Sequence, residues 1–267
     1  PVKGLADKKI AYVKLGDAPK SDFFNMLRNY AQIDLIHDEK LDKLIRKLKK
    51  YDLVIIGYHK SNDHPWKGYK FKDEELVKLQ EIARKKKVIL NILTSPYSLL
   101  QIKSFTNIEG IIVSYQNSKL AQEISAQAIF GAIDVKGKLP VSIKNEFGEG
   151  YGFIKSSLKR LQYSIPEDVG MSSVYLEKID SIANVVVKEK MAPGAQIVVA
   201  RNGKVVYQKN FGYHTHKKDR KVRTNDVYDV ASLTKILATL PLVMRAEEED
   251  KIPLNASLGE ILPKFRK

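Results

Sequence analysis

From Lys8 onward, short β-branched runs alternate with helical patterns, and this alternation limits the possible folds more than any other feature. "KIAYVKL", "IDLI", "DLVIIGY", "KVILNIL" and "IEGIIVSY" have the composition of strands. Between and after them come "DFFNMLRNYA", "KLDKLIRKLKKY", "DEELVKLQEIARKK", "SLLQIKSF" and "KLAQEISAQAIFGA", whose apolar residues recur at helical spacing. Strands separated by helices cannot pair as hairpins, so the pattern predicts an α/β domain: a mostly parallel sheet with helices on both faces. "DLVIIGY" and "KVILNIL" are nearly uniform in apolar character, as strands covered on both sides should be.

After "GKLPVSI" the pattern stops. The glycine-rich stretch that follows has no sustained period, which predicts a first domain over residues 1–144, a linker over 145–164 and a second unit over 165–267. The second unit should open with one long helix, about Ser172 to Lys190, apolar at Val174, Leu176, Ile179, Ile182 and Val186. Next, "AQIVVA" and "KVVYQKNF" flank "RNGK", whose Asn202-Gly203 pair suits the two positive-φ positions of a type I′ hairpin turn.

With 267 residues, 43% of them hydrophobic, the chain can bury two modest cores. It carries 46 Lys and Arg against 31 Asp and Glu, a formal charge of +15. The basic runs "KLIRKLKK" and "RKKK" fall at helix ends just before strands, where cations suit the helix dipole, and no aromatic residues interleave them. They read as solvated ends, and no nucleic-acid partner is expected. The absence of cysteine removes disulfide and thiolate chemistry. No apolar run approaches the roughly 18 residues of a membrane span. The chain opens at Pro1 and reads as a piece of a longer product.

Ser232 and Lys235, in "YDVASLTKILATLPLVM", are the residues that suggest chemistry. Leu233, Ile236, Leu237, Leu240, Val243 and Met244 recur at helical spacing, so Ser232 stands at a helix entrance with Lys235 one turn on, on the same face. A helix entrance favours an oxyanion, and the serine's own N–H can supply half of an oxyanion hole. A lysine serves there as a base only where burial and neighbouring cations favour its neutral form. Ser-x-x-Lys is a short signal; "SSLK" at Ser156 to Lys159 matches it too. The alternative is an N-cap serine with a solvated lysine.

From "APGAQIVVARNGKVVYQKNFGY" through "YDVASLTKILATLPLVMRAEEEDKIPLNASLGEILPKF", roughly 100 residues, the chain resembles the amino-terminal part of serine β-lactamases and penicillin-binding-protein-like hydrolases, in particular their class C and esterase-type branch. The resemblance implies an α+β fold, truncated here, with Ser232 as acyl-accepting nucleophile and Lys235 as its proton-relay partner. That family also uses a Tyr-x-Asn element and a Lys/His-x-Gly strand downstream of the nucleophile. Neither follows Ser232 in this sequence, and the Tyr115-Gln116-Asn117 string precedes it in the first domain. The carboxy-terminal half of the hydrolase fold is therefore expected to be missing, with apolar faces such as Leu237, Leu240 and Met244 left without partners.

"IEGIIVSYQNSKLAQEISAQAIFGAIDVKGKLPVSI", Ile108 to Ile143, resembles the end of the α/β sandwich domain of glycoside hydrolase family 3. This implies a missing amino-terminal (β/α)8 barrel that carries the nucleophilic Asp. In some members the sandwich supplies the acid/base Glu; by location the candidates are Asp63, Glu74 and Glu75. In the β-N-acetylglucosaminidase branch the acid/base pair is on the barrel. "FGAIDVKGKLP" is not a phosphate loop: five residues separate Gly131 from Gly137-Lys138, and Leu139 replaces the magnesium-binding Ser or Thr. Gly131 should instead end a helix, and Pro140 should stiffen the entry to a strand.

His214 and His216 alternate along one strand face but lack a third ligand, so neither a metal nor a cofactor is expected. Trp66, His64 and Tyr69 offer a sugar-stacking platform. Together the resemblances imply a bacterial hydrolase fusion, periplasmic or secreted, with its signal upstream. It would be a β-glycosidase joined to a Ser-x-x-Lys acyl-transfer hydrolase, acting on glycan, peptidoglycan-derived or amino-sugar material. The alternative is a β-lactamase-like module that only binds or packs.

Overall fold

The computed structural model describes residues 1–18, 22–61, 68–144 and 146–266. The chain divides into two compact units: Pro1–Glu177 with Val198–Gln208, and Lys178–Ile197 with Lys209–Lys267.

In the first unit the expected alternation is realised as β1 (Ile10–Leu15), α1 (Asp22–Arg28), β2 (Ile33–Leu35), α2 (Leu41–Leu48), β3 (Leu53–His59), α3 (Asp73–Lys85), β4 (Lys87–Leu93), β5 (Ile108–Val113) and α4 (Lys119–Phe130). A 3₁₀ segment, Pro96–Gln101, takes the place of a helix between β4 and β5. The five strands form one parallel sheet in the order β2-β1-β3-β4-β5. This is the α/β architecture that the sequence pattern requires.

Successive side chains of each strand point to opposite faces, and so they divide between two cores. Ala11 and Val13 of β1, Val54, Ile56 and Tyr58 of β3, and Val88 and Leu90 of β4 pack with Leu44 and Leu48 of α2 and Leu79 and Ile82 of α3. The alternate residues Ile10, Tyr12, Leu53 and Ile55 pack with Phe23 and Leu27 of α1 and Ile129 and Phe130 of α4. Every residue of β3, the central strand, is buried, which explains why its sequence is apolar almost throughout, up to His59 at its end.

Gly131 ends α4 in the left-handed conformation, φ 69° and ψ 30°. Its N–H donates to Ala128 O and that of Ala132 to Gln127 O, which satisfies the last carbonyls of the helix. The expected strand after it does not form. Among the described residues that follow it there are isolated bridges, Val135 with Lys155 and Ile143 with Phe147, and backbone hydrogen bonds of Leu139 with Gly150 and Tyr151. Pro140 has no N–H to donate, so the ladder is interrupted at that residue.

Residues 146–164 contain little regular structure, yet they are tied to the first unit at several points. Leu158 N–H donates to Gly131 O, the Arg160 guanidinium caps Val2 O and Phe130 O, and Gln127 exchanges two hydrogen bonds with the backbone of Tyr163. The short strand β6 (Gln162–Tyr163) runs parallel to the start of β8.

The long helix expected over residues 172–190 is two helices, α5 (Ser173–Leu176) and α6 (Lys178–Lys188). Glu177 keeps a right-handed helical conformation, and its N–H is shared between Ser173 O and Tyr175 O, so the ladder is interrupted for one residue. Strands β7 (Gly194–Arg201) and β8 (Lys204–Gly212) form the expected hairpin, in a sheet of order β6-β8-β7. Its turn has positive φ at both Asn202 (53°) and Gly203 (75°), as a type I′ turn demands. The second unit ends with α7 (Leu240–Glu248), α8 (Leu258–Ile261) and a 3₁₀ turn, Pro263–Phe265.

Candidate active site

Ser232 lies at the mouth of a helical run, immediately after Ala231, whose φ of 43° is left-handed. Asp229 Oδ1 accepts the Ala231 N–H at 2.8 Å and holds this bend. The chain then turns into a helix: Leu233, Thr234 and Lys235 donate to the carbonyls of Val230, Ala231 and Ser232. One turn from the serine, Lys235 Nζ donates to Ser232 Oγ at 3.0 Å. The two residues that the sequence singles out are therefore in direct contact.

Lys235–Thr239 forms a π-helical turn, and α7 follows it. The cause is Pro241, which cannot donate to Leu237 O and whose ring crowds that carbonyl. The ladder widens, and Leu240 N–H reaches back to Lys235 O. Both Ser232 and Lys235 are exposed. The apolar residues around them are exposed as well, with Ile236 at 59%, Leu237 at 66% and Met244 at 61%.

A carboxylate upstream organises the approach to this segment. Asp226 accepts from His214 Nε2 (2.7 Å), the Arg220 guanidinium (2.6 Å) and the Arg223 N–H (2.6 Å). The Arg223 N–H in the first place, then His214 and the charge of Arg220, hold the Asp226 carboxyl below the usual carboxylate range. His214 Nε2 is thus engaged with a carboxylate, and His216 is exposed. Among the described residues no group of three or more His, Asp or Glu could hold a metal ion.

In the first unit, Glu75 is buried and both its oxygens are engaged. Oε1 accepts the Gly16 N–H at 3.0 Å and Oε2 the Lys72 N–H at 2.8 Å. This carboxylate fastens α3 to the end of β1, a structural task. Glu74 is exposed in the first turn of α3, where an acid suits the helix dipole. Asp63, His64 and Trp66 lie outside the described residues. Tyr69 lines a cavity of about 320 Å³ with Asp17, Lys60, Ser61, Gly68 and Lys70.

That cavity is at the carboxyl ends of β1 and β3, where the strand order reverses and open α/β sheets place their ligands. Sequence reasoning missed its polar centre. Lys60 is buried and pairs with Asp17 at 2.8 Å, and this hydrogen bond holds the Asp17 carboxyl below its ordinary range. Next to it, His59 is fully buried between Tyr12 Oη (2.7 Å from Nε2) and Asn117 Oδ1 (2.8 Å from Nδ1). Asn117, the last residue of the Tyr-x-Asn string, thus serves this network. No spacing in the sequence joins Tyr12, His59 and Asn117; only the sheet does.

Comparison with known proteins bears on the second unit. Residues 183–267 match the Beta-lactamase family. This region is beta-lactamase-like. Protein flp of Staphylococcus aureus (strain NCTC 8325 / PS 47) is 30% identical over 90 residues, 34% of this chain and 18% of that protein. Esterase EstB of Burkholderia gladioli is 32% identical over 92 residues, 33% of this chain and 22% of the esterase. The chain thus spans about a fifth of the length of these relatives. Among solved structures, a GH3 exo-beta-xylosidase (XlnD) aligns over 51% of this chain and 22% of its own, with TM-score 0.41 and 12% identity. Among the described residues no helix is long and apolar enough to cross a membrane.

Proposed function

We propose that this chain belongs to a serine hydrolase that works through an acyl-enzyme on Ser232, with Lys235 moving the proton. The observation that carries the reading is the 3.0 Å hydrogen bond between Lys235 Nζ and Ser232 Oγ at a helix entrance, within a beta-lactamase-like region. In this reading a neutral Lys235 takes the Ser232 hydroxyl proton as Oγ bonds to the substrate's acyl carbon. The leaving group departs with that proton, and water then hydrolyses the resulting ester. The whole protein's substrate, in this proposal, is cell-wall or amino-sugar material outside the cytoplasm. The first unit serves as the sandwich domain of a family 3 glycosidase, as the Ile108 to Ile143 stretch suggests. With Glu75 committed to backbone N–H groups, that domain contributes support rather than a Glu75 acid.

Covalent labelling tests the site. The full-length protein that contains this chain is incubated with a fluorophosphonate probe, and the modified peptide is found by mass spectrometry. The adduct is expected on Ser232, absent in Ser232→Ala, and formed on the order of 100-fold more slowly in Lys235→Ala, the scale of a lost general base. Labelling that ignores Lys235→Ala, or no adduct on Ser232, would favour a module that only binds or packs.

A further inference from the structure

We propose that the amino-terminal edge of the five-stranded sheet binds a linear polyanion of repeating phosphates. In a parallel sheet each crossover helix must return to the start of the next strand, so helix ends and strand starts collect on one edge. The register of this sheet makes the point concrete. Ile10, Leu53 and Lys87 lie abreast on β1, β3 and β4, which aligns the segments just before them. The basic runs, separate in sequence, therefore meet: Lys8 and Lys9 before β1, Lys49 and Lys50 after α2, and Lys85 and Lys87 around the start of β4. All six are exposed. Lys86 fixes the spacing between two of these runs, its Nζ donating to Lys49 O at 2.6 Å and Tyr51 O at 2.7 Å.

Acids at this edge are fewer and mostly occupied. Asp52 accepts the Lys9 N–H at 2.8 Å, Glu81 pairs with Arg84 at 2.8 Å, and Glu109 lies 3.7 Å from Lys87; Asp7 is exposed nearby. Helix dipoles account for cations that end α2 and α3, but not for Lys8, Lys9 and Lys87, which are at strand starts. Neighbouring strands are spaced at ~4.8 Å, so a chain of phosphates laid across the strand starts meets a cation at short, regular steps. Lys50 sits over the Tyr51 ring at 5.2 Å from its centroid, but that ring is buried and offers no face for a base, so the surface reads charge and not sequence. Nucleic-acid backbones and polyol-phosphate polymers share this chemistry.

The test measures binding of the chain to inorganic polyphosphate, to an oligothymidylate and to phosphatidylglycerol vesicles over a range of salt. Polyphosphate binding is expected, weakening steeply as salt rises. Lys9→Glu/Lys49→Glu/Lys85→Glu should weaken it by tens of fold and lower the log–log salt slope by ~2, about 0.7 per lost contact. Lys136→Glu/Lys188→Glu/Lys217→Glu changes the net charge equally and should have little effect. The corresponding Lys→Gln triple at the edge, expected to weaken binding less but in the same sense, separates lost binding from lost folding. Equal binding of the oligothymidylate points to any linear chain of phosphates, and binding of polyphosphate alone to a polymer without bases. Equal weakening by the control triple, or binding only to vesicles or only to the oligothymidylate, would overturn the proposal.

Discussion

Acidification should cost the first unit about 3 to 4 kcal/mol through His59 alone. The ring is fully buried, and its two nitrogens face Tyr12 Oη and Asn117 Oδ1. An amide oxygen only accepts, so Nδ1 carries the proton and Nε2 accepts from the Tyr12 hydroxyl. The neutral ring is satisfied in this arrangement, whereas a second proton on Nε2 would force Tyr12 to reverse its role. Burial pushes the imidazole from its ordinary value of 6.5 down to about 4; the Asn117 hydrogen bond opposes that shift, and the nearby Lys14 charge adds to it. The unfolded chain therefore takes up the proton first as pH falls. His59's contribution is complete above pH 6.5 and is lost progressively between 6.5 and about 4. At about 1.4 kcal/mol per pH unit, this gap gives the total above. Urea unfolding followed by circular dichroism, from neutral pH downward, measures the slope; His59→Gln keeps hydrogen-bonding capacity and should flatten it. Carbon NMR of the imidazole reports the protonation state directly. A ring that titrates above pH 6, or an acid slope unchanged in His59→Gln, would refute the reasoning.

Gly131→Ala should destabilise the first unit by at least ~1 kcal/mol, the cost of a left-handed non-glycine residue. An added Cβ also meets Pro1 Cβ at 2.8 Å and Leu158 Cγ at 2.9 Å, so thermal unfolding should show a clear loss. Asp226→Asn should free the loop from His214 to Arg223, read as faster tryptic cleavage at Arg220 and Lys221. The wild-type loop should show the same loosening in acid. Because the folded carboxyl is held below its ordinary range, its stabilising effect is present above the unfolded value and lost as pH falls through the folded one.

Much of the fold was legible from local physics. The alternation of periods identified the parallel sheet and its helices, because a strand buried on both faces needs an apolar run and a crossover helix needs a single apolar stripe. Gly131 and the Asn202-Gly203 pair marked their turns because few other residues tolerate positive φ. The contact between Ser232 and Lys235 follows from helical spacing, and so it too was readable in the sequence. What the sequence could not reveal depended on which distant segments lie side by side. The break at Glu177 has no proline or glycine to announce it. The saturation of Glu75 depends on Gly16 from another strand end, and the burial of His59 on Tyr12 and Asn117. The basic runs look like separate solvated helix ends until strand register aligns them along one edge. Periodicity and turn chemistry act over a few residues and are written locally; hydrogen-bond saturation, desolvation and charge clustering are properties of neighbours, and only the tertiary structure chooses those.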